Sequence, residues 1–361
     1  MSDETRTSDG GAVVEQPTLW NRWEKVRGNE GTVVGLTAVL VALFPYVFAE
    51  MPVVSDVLQG YTSLASLVLI WGIFAIGFDL LLGYTGLLSF GHAAFWGGAA
   101  YAAGVFSQMV VGEPILMLLA GTAFAVVLAW AMGFLSLRRG GIYFSILTLA
   151  FGQMLFYISS SPLASITGGE NGFTGVEVGN LFFAIDLGTP LPVVGDWLYV
   201  FVGTVAVLCV AAAYRLLNSP YGMVFRAIRE NEQRAEFVGL NVWRYKLMAF
   251  IISGAFAGVA GSLYTIHGSY VPLESLYWTT SGEIVVMTVL GGAGSLFGPL
   301  LGAGLYLYVE NIVSGFSLVG EFWHLILGLV FVVVIWFAPS GVWGLLDNVR
   351  GFVARLVGGD R

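Results

Sequence analysis

The sequence predicts an all-α membrane protein, a polytopic bundle of about ten spanning helices. Three observations lead there. First, 57% of the 361 residues are hydrophobic and only 11% are charged, and the mean hydropathy is +0.83. A water-soluble domain cannot hide that much apolar surface, whereas hydrocarbon solvates it directly. Second, the apolar residues form continuous runs and do not alternate, which implies helices and not a barrel. Third, all fifteen Lys and Arg fall on one side of the membrane when ten crossings are counted from an inner N-terminus, as the positive-inside rule requires.

A helix needs about 20 mostly apolar residues to cross ~30 Å of hydrocarbon. Residues 1–31 are a polar, acidic tail in which "LWNRWEKVRG" predicts a short surface helix; no basic segment leads into a short apolar core, so no cleavable signal peptide is expected. Apolar runs follow near 32–49, 61–82, 87–110, 114–137, 141–161, 195–217, 247–267, 282–291, 298–314 and 322–344, making 32–346 the transmembrane domain and 347–361 a C-terminal tail. The eighth run is short and leads into "GGAGSLFGP", which reads as a break within the membrane or a tight turn near its inner face. Both termini are then expected in the cytoplasm of a cell-membrane protein. The inner segments hold Arg6, Arg22, Lys25, Arg27, Arg138, Arg139, the cluster from Arg215 to Lys246, Arg350, Arg355 and Arg361. The outer loops hold Glu50, Asp56, Glu113, Glu170, Glu177, Asp186, Glu274 and Glu321, with no base.

Several function classes are excluded or disfavoured. Lys25 follows Glu24 and Lys246 follows Tyr245, so there is no Gly-Lys phosphate loop and the chain is not itself an ATPase of that type. His92, His267 and His324 lie far apart, without HExxH or a Cys cluster, which argues against a metal site. There is no GxSxG nucleophile elbow, so no catalytic residue is assigned. Cys209 stands alone, and the net charge of −8 gives no reason to expect nucleic acid. Ionisable residues within the runs are few: Asp79, His92, Glu283 and Glu310. A self-contained ion-coupled carrier needs charged relays there, each costing at least ~2.5–3.5 kcal/mol. A partner protein is therefore the favoured energy source. Asp79 lies near the inner end of its run, from which it would reach the headgroups.

The segment "NSPYGMVFRAIRENEQRAEFVGLNVWRYK", 218–246, is polar amid the apolar runs. Asn218 or Ser219 suits a helix cap, Pro220 the first helical position, and Gly239 the stop. One helix is expected through "YGMVFRAIRENEQRAEFV", with Val224, Phe225, Ile228, Ala235 and Val238 on an apolar face. Arg226, Arg229, Glu230 and Arg234 lie on the polar face, and Arg226–Glu230 and Glu230–Arg234 have i,i+4 spacing. "VWRYK" is a second short element. A plain solvated loop explains the charge, but an idle turn would be far shorter than this; the alternative is a helix that seats in a groove of a cytoplasmic partner.

These residues resemble a family. "SPYGMVFRAIRENEQRAEFVGLNVWRYKLMAFIISGAFAGVAGSLY" is similar to the coupling loop and following span of the LivM-type permease subunit of ABC importers for branched-chain amino acids. "DLLLGYTGLLSFGHAAFWGGAAYAAG", "RRGGIYFSILTLAFGQM", "TGGENGFTGV", "SGEIVVMTVLGGAGSLFGPLLGA" and "LILGLVFVVVIWFAPSGVWGL" extend the resemblance, in family order, over most of 61–346. It implies a type II-like importer permease that pairs with a second related permease, two cytoplasmic ATPases carrying ATP and Mg, and an extracytoplasmic solute-binding protein. Arg226, Arg229, Glu232, Ala235, Glu236, Gly239 and Asn241 are the implied ATPase-coupling residues. The general coupling motif, Glu-Ala-Ala then Gly after three residues, keeps its Ala-to-Gly spacing at Ala235 and Gly239, but Arg234 replaces the leading Glu. Permeases for urea and short amides share "GYTGLLSFGH", and Asp79 stands where many amino-acid members have Asn, so an amide solute is the alternative.

Candidate solute-path residues are Asp79, Ser89, His92 and Glu283. The glycines of "GYTGLLSFGHAAF" serve either close helix packing or a broken helix that offers backbone groups to a zwitterion beside Ser89 and His92. Glu283 either receives a solute ammonium or caps its span beside Ser281 and Gly282. The loop 162–194 is either a solvated connector or a landing surface for the binding protein through Glu170, Glu177 and Asp186.

Overall fold

The computed structural model describes residues 30–47, 61–138, 140–191, 195–315, 323–338 and 340–345. The expected surface helix, the C-terminal tail, Arg139, Glu50, Asp56 and Glu321 lie outside the described residues. In chain order the helices are α1 Glu30–Pro45, α2 Thr62–Thr85, α3 His92–Met109, α4 Pro114–Ser136, α5 Ile142–Ser160, α6 Ala164–Thr167, α7 Trp197–Leu217, α8 Pro220–Glu230, α9 Glu232–Phe237, α10 Val242–Gly268, α11 Trp278–Gly291, α12 Gly298–Gly315 and α13 Trp323–Phe337. A two-strand antiparallel hairpin, Pro190–Leu191 with Gly195–Asp196, precedes α7. Each expected apolar run contains one of these helices among its described residues. Among the described residues, six segments are long and apolar enough to cross a membrane by length and composition: α2, α4, α5, α7, α10 and the stretch 325–345.

The hub of the bundle is α2. It packs against α10, α12, α7, α11 and α8, and its Trp71 and Phe74 rings meet Trp96 of α3, while α10 also packs on α3 and α4. The rim is formed by α4, α5 and α13, which leave Leu119, Val127, Trp130, Ile146, Leu329 and Trp336 exposed. Small residues set the close approach at the centre: a Cβ on Gly258 would strike Ala125, and one on Gly261 would strike the Trp96 carbonyl. In a bilayer, where water expulsion does not drive helices together, such fit is the main attraction.

The run near 87–110 departs from the expected continuous span. Residues 86–91 are not helical, so α3 begins at His92 and not near 87. Gly86, at φ 76, terminates α2, and the Leu87 amide donates back to the Leu81 carbonyl at 3.1 Å. The Leu88 carbonyl accepts from Ser145 Oγ at 2.5 Å, so the irregular stretch is hydrogen-bonded to α5. Residues 269–277, between two expected runs, contain no α-helix and are tied to the other long loop by mutual backbone bonds between Val271 and Phe173.

Candidate functional site

The basic segment expected to be one helix is two. Asn231 is extended, at φ −160 and ψ 102, and its Oδ1 accepts from the Arg234 amide at 2.8 Å. An Asn N-cap starts a new helix more readily than it continues an old one. The break removes the helical i,i+4 relation between Glu230 and Arg234; Glu232 instead pairs with Lys246 Nζ at 2.5 Å. "VWRYK" is no separate element but the first turn of α10, capped by Asn241 Oδ1 to the Arg244 amide at 3.2 Å. Pro220 opens α8, as expected, and Gly239, at φ 88, is left-handed. Ser219 occupies the cap position, but its hydroxyl donates to the Leu216 carbonyl and caps no amide.

The segment has two faces. Inward, Phe225, Ile228 and Ala235 are buried, and Ile228 and Ala235 pack with Val242. Arg226 lies over the Tyr84 ring, 5.5 Å from its centroid, and its Nη2 donates to the Leu217 carbonyl at 3.4 Å. Outward, Phe237 is 89% exposed, Val238 72% and Met223 64%. Glu236 and Gly239 share that exposure. Of the seven expected coupling residues, Arg226 and Arg229 bond to the bundle, Ala235 packs with Val242, Asn241 caps α10 and Glu232 pairs with Lys246. Sequence reasoning missed Phe237 as a surface residue and placed Val238 on the buried face. Neighbouring bulky apolar residues close to the Gly239 stop were the available signal.

Asp79, expected to reach out to the headgroups, is enclosed by protein. It is 2% exposed, and both carboxylate oxygens accept from the Gly294 amide, at 2.8 and 3.1 Å. Gly294 belongs to the turn between α11 and α12, in which Ser295 Oγ donates to the Gly292 carbonyl. Arg229, from α8, donates through Nη1 to the Gly83 carbonyl, one turn beyond Asp79 on α2. The guanidinium is within electrostatic reach of the Asp79 carboxyl. Side chains would disrupt this junction: a Cβ on Gly83 would overlap Asp79, and one on Gly294, at φ 86, would meet Arg229.

Ser89 and His92 sit elsewhere, inside the bundle, and neither exposes surface. His92 Nε2 is 2.8 Å from Ser253 Oγ on α10, and Ser89 Oγ accepts from the Gly91 amide. The first turn of α3 meets the first turn of α11, where the Ala93 amide donates to Ser281 Oγ at 2.8 Å. Of these two helices, α3 begins within the bundle, its first turn fully buried, and the positive end of its dipole favours negative charge nearby. Glu283 is on the second turn of α11, whose cap position is Tyr277, so Glu283 does not cap the span. It lies within electrostatic range of Glu310 on α12 and is not joined to Asp79.

Glu170, Glu177 and Asp186 are all exposed on the loop between α5 and α7. That loop is anchored by Glu113, which is 4% exposed. Its Oε2 accepts from Leu116, capping α4, and its Oε1 accepts from Phe182 at 3.1 Å. The sequence had marked Glu113 only as one more outer acid. The described residues contain no group of three or more His, Cys, Asp or Glu placed to hold a metal ion.

Comparison with known proteins places these features. Residues 60–335 match the family described as "Branched-chain amino acid transport system / permease component". The high-affinity branched-chain amino acid transport permease LivM of Escherichia coli K12 is 30% identical over 333 residues, 87% of this chain and 76% of that protein. BraD of Pseudomonas aeruginosa is 24% identical, covering 81% of this chain and 98% of its own length. LivH of Escherichia coli K12 is 25% identical, covering 76% and 91%. No solved structure matches.

Proposed function

Because this chain belongs to the permease-component family of branched-chain amino acid transport systems, we propose that it is the LivM-type permease subunit of an ATP-driven importer of branched-chain amino acids. It forms the multi-pass membrane path and carries no ATPase of its own. Relatives of both LivM and LivH type align with most of it, which favours pairing with a second, related permease. Two ATPases hold the ATP and Mg on the cytoplasmic side. An extracytoplasmic binding protein delivers solute to the acidic loop bearing Glu170, Glu177 and Asp186.

The observation that carries this reading is the two-faced α8–α9 segment. Its inner face is fixed to the bundle by Phe225, Ile228 and Arg229, while Phe237 and Val238 remain bare. Bare apolar residues of that size next to Glu236 and Gly239 fit a groove in a partner. The basic end of the bundle is then cytoplasmic, as are both termini. The solute path runs past the buried N-terminus of α3, where Ser89 and His92 lie, and the first turn of α11 that meets it. Glu283 is the acid placed to meet the ammonium group.

The test is reconstitution with both permeases, the ATPases and the binding protein in proteoliposomes. Leucine uptake that requires ATP and the binding protein supports the reading. Uptake by this chain alone under an ion gradient, or uptake of urea or acetamide in place of leucine, would overturn it.

A further inference from the structure

We propose that Asp79 is a positioning residue of transport, locking the turn between α11 and α12 to the hub helix α2 beside Arg229, so that a displacement of α8 moves both together. This rests on the functional reading above. Three contacts make the lock. Asp79 takes the Gly294 amide on both oxygens, Arg229 donates to the Gly83 carbonyl, and Arg229 lies against Gly86, where α2 ends.

The geometry is economical. Gly83 and Asp79 are separated by one helical turn, so their polar groups lie on one side of α2. Gly294 comes from a different part of the chain, 215 residues later. Both glycines are needed as glycines: a side chain at Gly83 would displace the carboxylate, and Gly294 has positive φ and lies against the guanidinium. The buried carboxyl would otherwise lack a partner inside the bundle, at a cost too large to leave unsatisfied. Solute contact is thereby the weaker role for Asp79, since its oxygens are already occupied.

The lock also bears on the buried N-terminus of α3. The locked turn ends α11, and Ser281 at the other end of α11 holds the Ala93 amide of α3. One rigid element thus joins the lock to the first turn of α3, where His92 stands. A shift of α8 arriving through Arg229 reaches this interior region along α11 itself.

The test uses the complete reconstituted importer and reads solute molecules imported per ATP hydrolysed, a ratio that does not depend on how much protein reaches the membrane. Asp79→Ala removes both acceptors, and losing hydrogen bonds of this kind lowers the ratio by about tenfold, with hydrolysis persisting. Asp79→Asn keeps one acceptor oxygen for Gly294, and its ratio falls only about twofold to threefold. Because both residues belong to one connection, Asp79→Ala combined with Arg229→Ala is no worse than the poorer single variant. An unchanged ratio in Asp79→Ala, or additive losses in the double variant, overturns the inference. Should Asp79→Ala fail to fold, an unchanged ratio in Asp79→Asn overturns it instead. Wild-type uptake that needs no ATP overturns the functional reading and this inference with it, whereas ATP-driven wild-type import with Asp79→Ala unaffected overturns this inference alone.

Discussion

His92 and Ser253, 161 residues apart, meet at 2.8 Å with neither side chain exposed. Phe78, Phe95 and Phe250 surround the imidazole edge-on, at centroid distances of 4.9, 5.2 and 5.7 Å. The ring therefore fills a three-helix joint between α2, α3 and α10. His92→Ala empties that space and leaves Ser253 without its partner, at an expected cost of about 2–4 kcal/mol. Thermal unfolding of the purified chain in detergent measures it. A loss below about 1 kcal/mol would mean the joint is held by something other than this ring.

Glycines of similar appearance have different duties. A Cβ on Gly261 runs into the Trp96 backbone, whereas a Cβ on Gly282 meets nothing within 4 Å. Gly261→Ala is expected to cost about 1–3 kcal/mol by forcing α3 and α10 apart. Gly282→Ala costs nothing and gains up to about 1 kcal/mol of helix propensity. The same unfolding measurement separates them; equal effects would contradict the packing described.

Phe237 projects with 89% of its surface free. Phe237→Asp is expected to leave stability within about 0.5 kcal/mol of wild type, as surface changes usually do. Retention of the ATPases in affinity purification should fall by about tenfold or more, as for a central apolar anchor. Undiminished retention would remove Phe237 from the contact.

Asn231 starts α9 through its contact with the Arg234 amide. Asn231→Ala should destabilise α9 by about 1 kcal/mol, and Asn231→Gly by only a few tenths. Hydrogen exchange of the amides of 232–237 reads this directly. Identical exchange in both variants would show the cap to be idle.

The outer-loop acids give a salt-dependent expectation. Reversing the charge of Glu170, Glu177 and Asp186 together should weaken binding-protein association at low salt, with the difference shrinking at 1 M salt, where the screening length is about 3 Å. Titration by surface plasmon resonance at two ionic strengths tests it. An unchanged low-salt affinity would leave the loop a connector.

The ten runs were legible because crossing a bilayer demands a length of apolar residues that few other structures need. Pro220 and Gly239 were legible for equally local reasons. What escaped was set by distant partners. The irregular stretch at 86–91 is as apolar as a helix, and its Leu88 carbonyl, freed from helical bonding, accepts from Ser145, 57 residues away. Asp79 looked like a headgroup-seeking acid because Gly294 was invisible from its neighbourhood. Asn231 carried its cap signal in plain view, yet the helix-forming residues on both sides outweighed it. Glu113 likewise precedes Pro114 at a helix start, a local cue to capping that its grouping with the outer acids obscured.

The enclosure of α2 has a consequence for how the molecule is made. This helix is as oily as those on the rim, yet nearly all of its surface faces protein. Such a segment is content in lipid by itself, so it enters the bilayer as an independent rod and is wrapped by its neighbours only afterwards, through contact and not through flight from water. A defect in that wrapping would yield a chain threaded correctly through the membrane but slack, betrayed by protease nicking between spans and not by failed insertion.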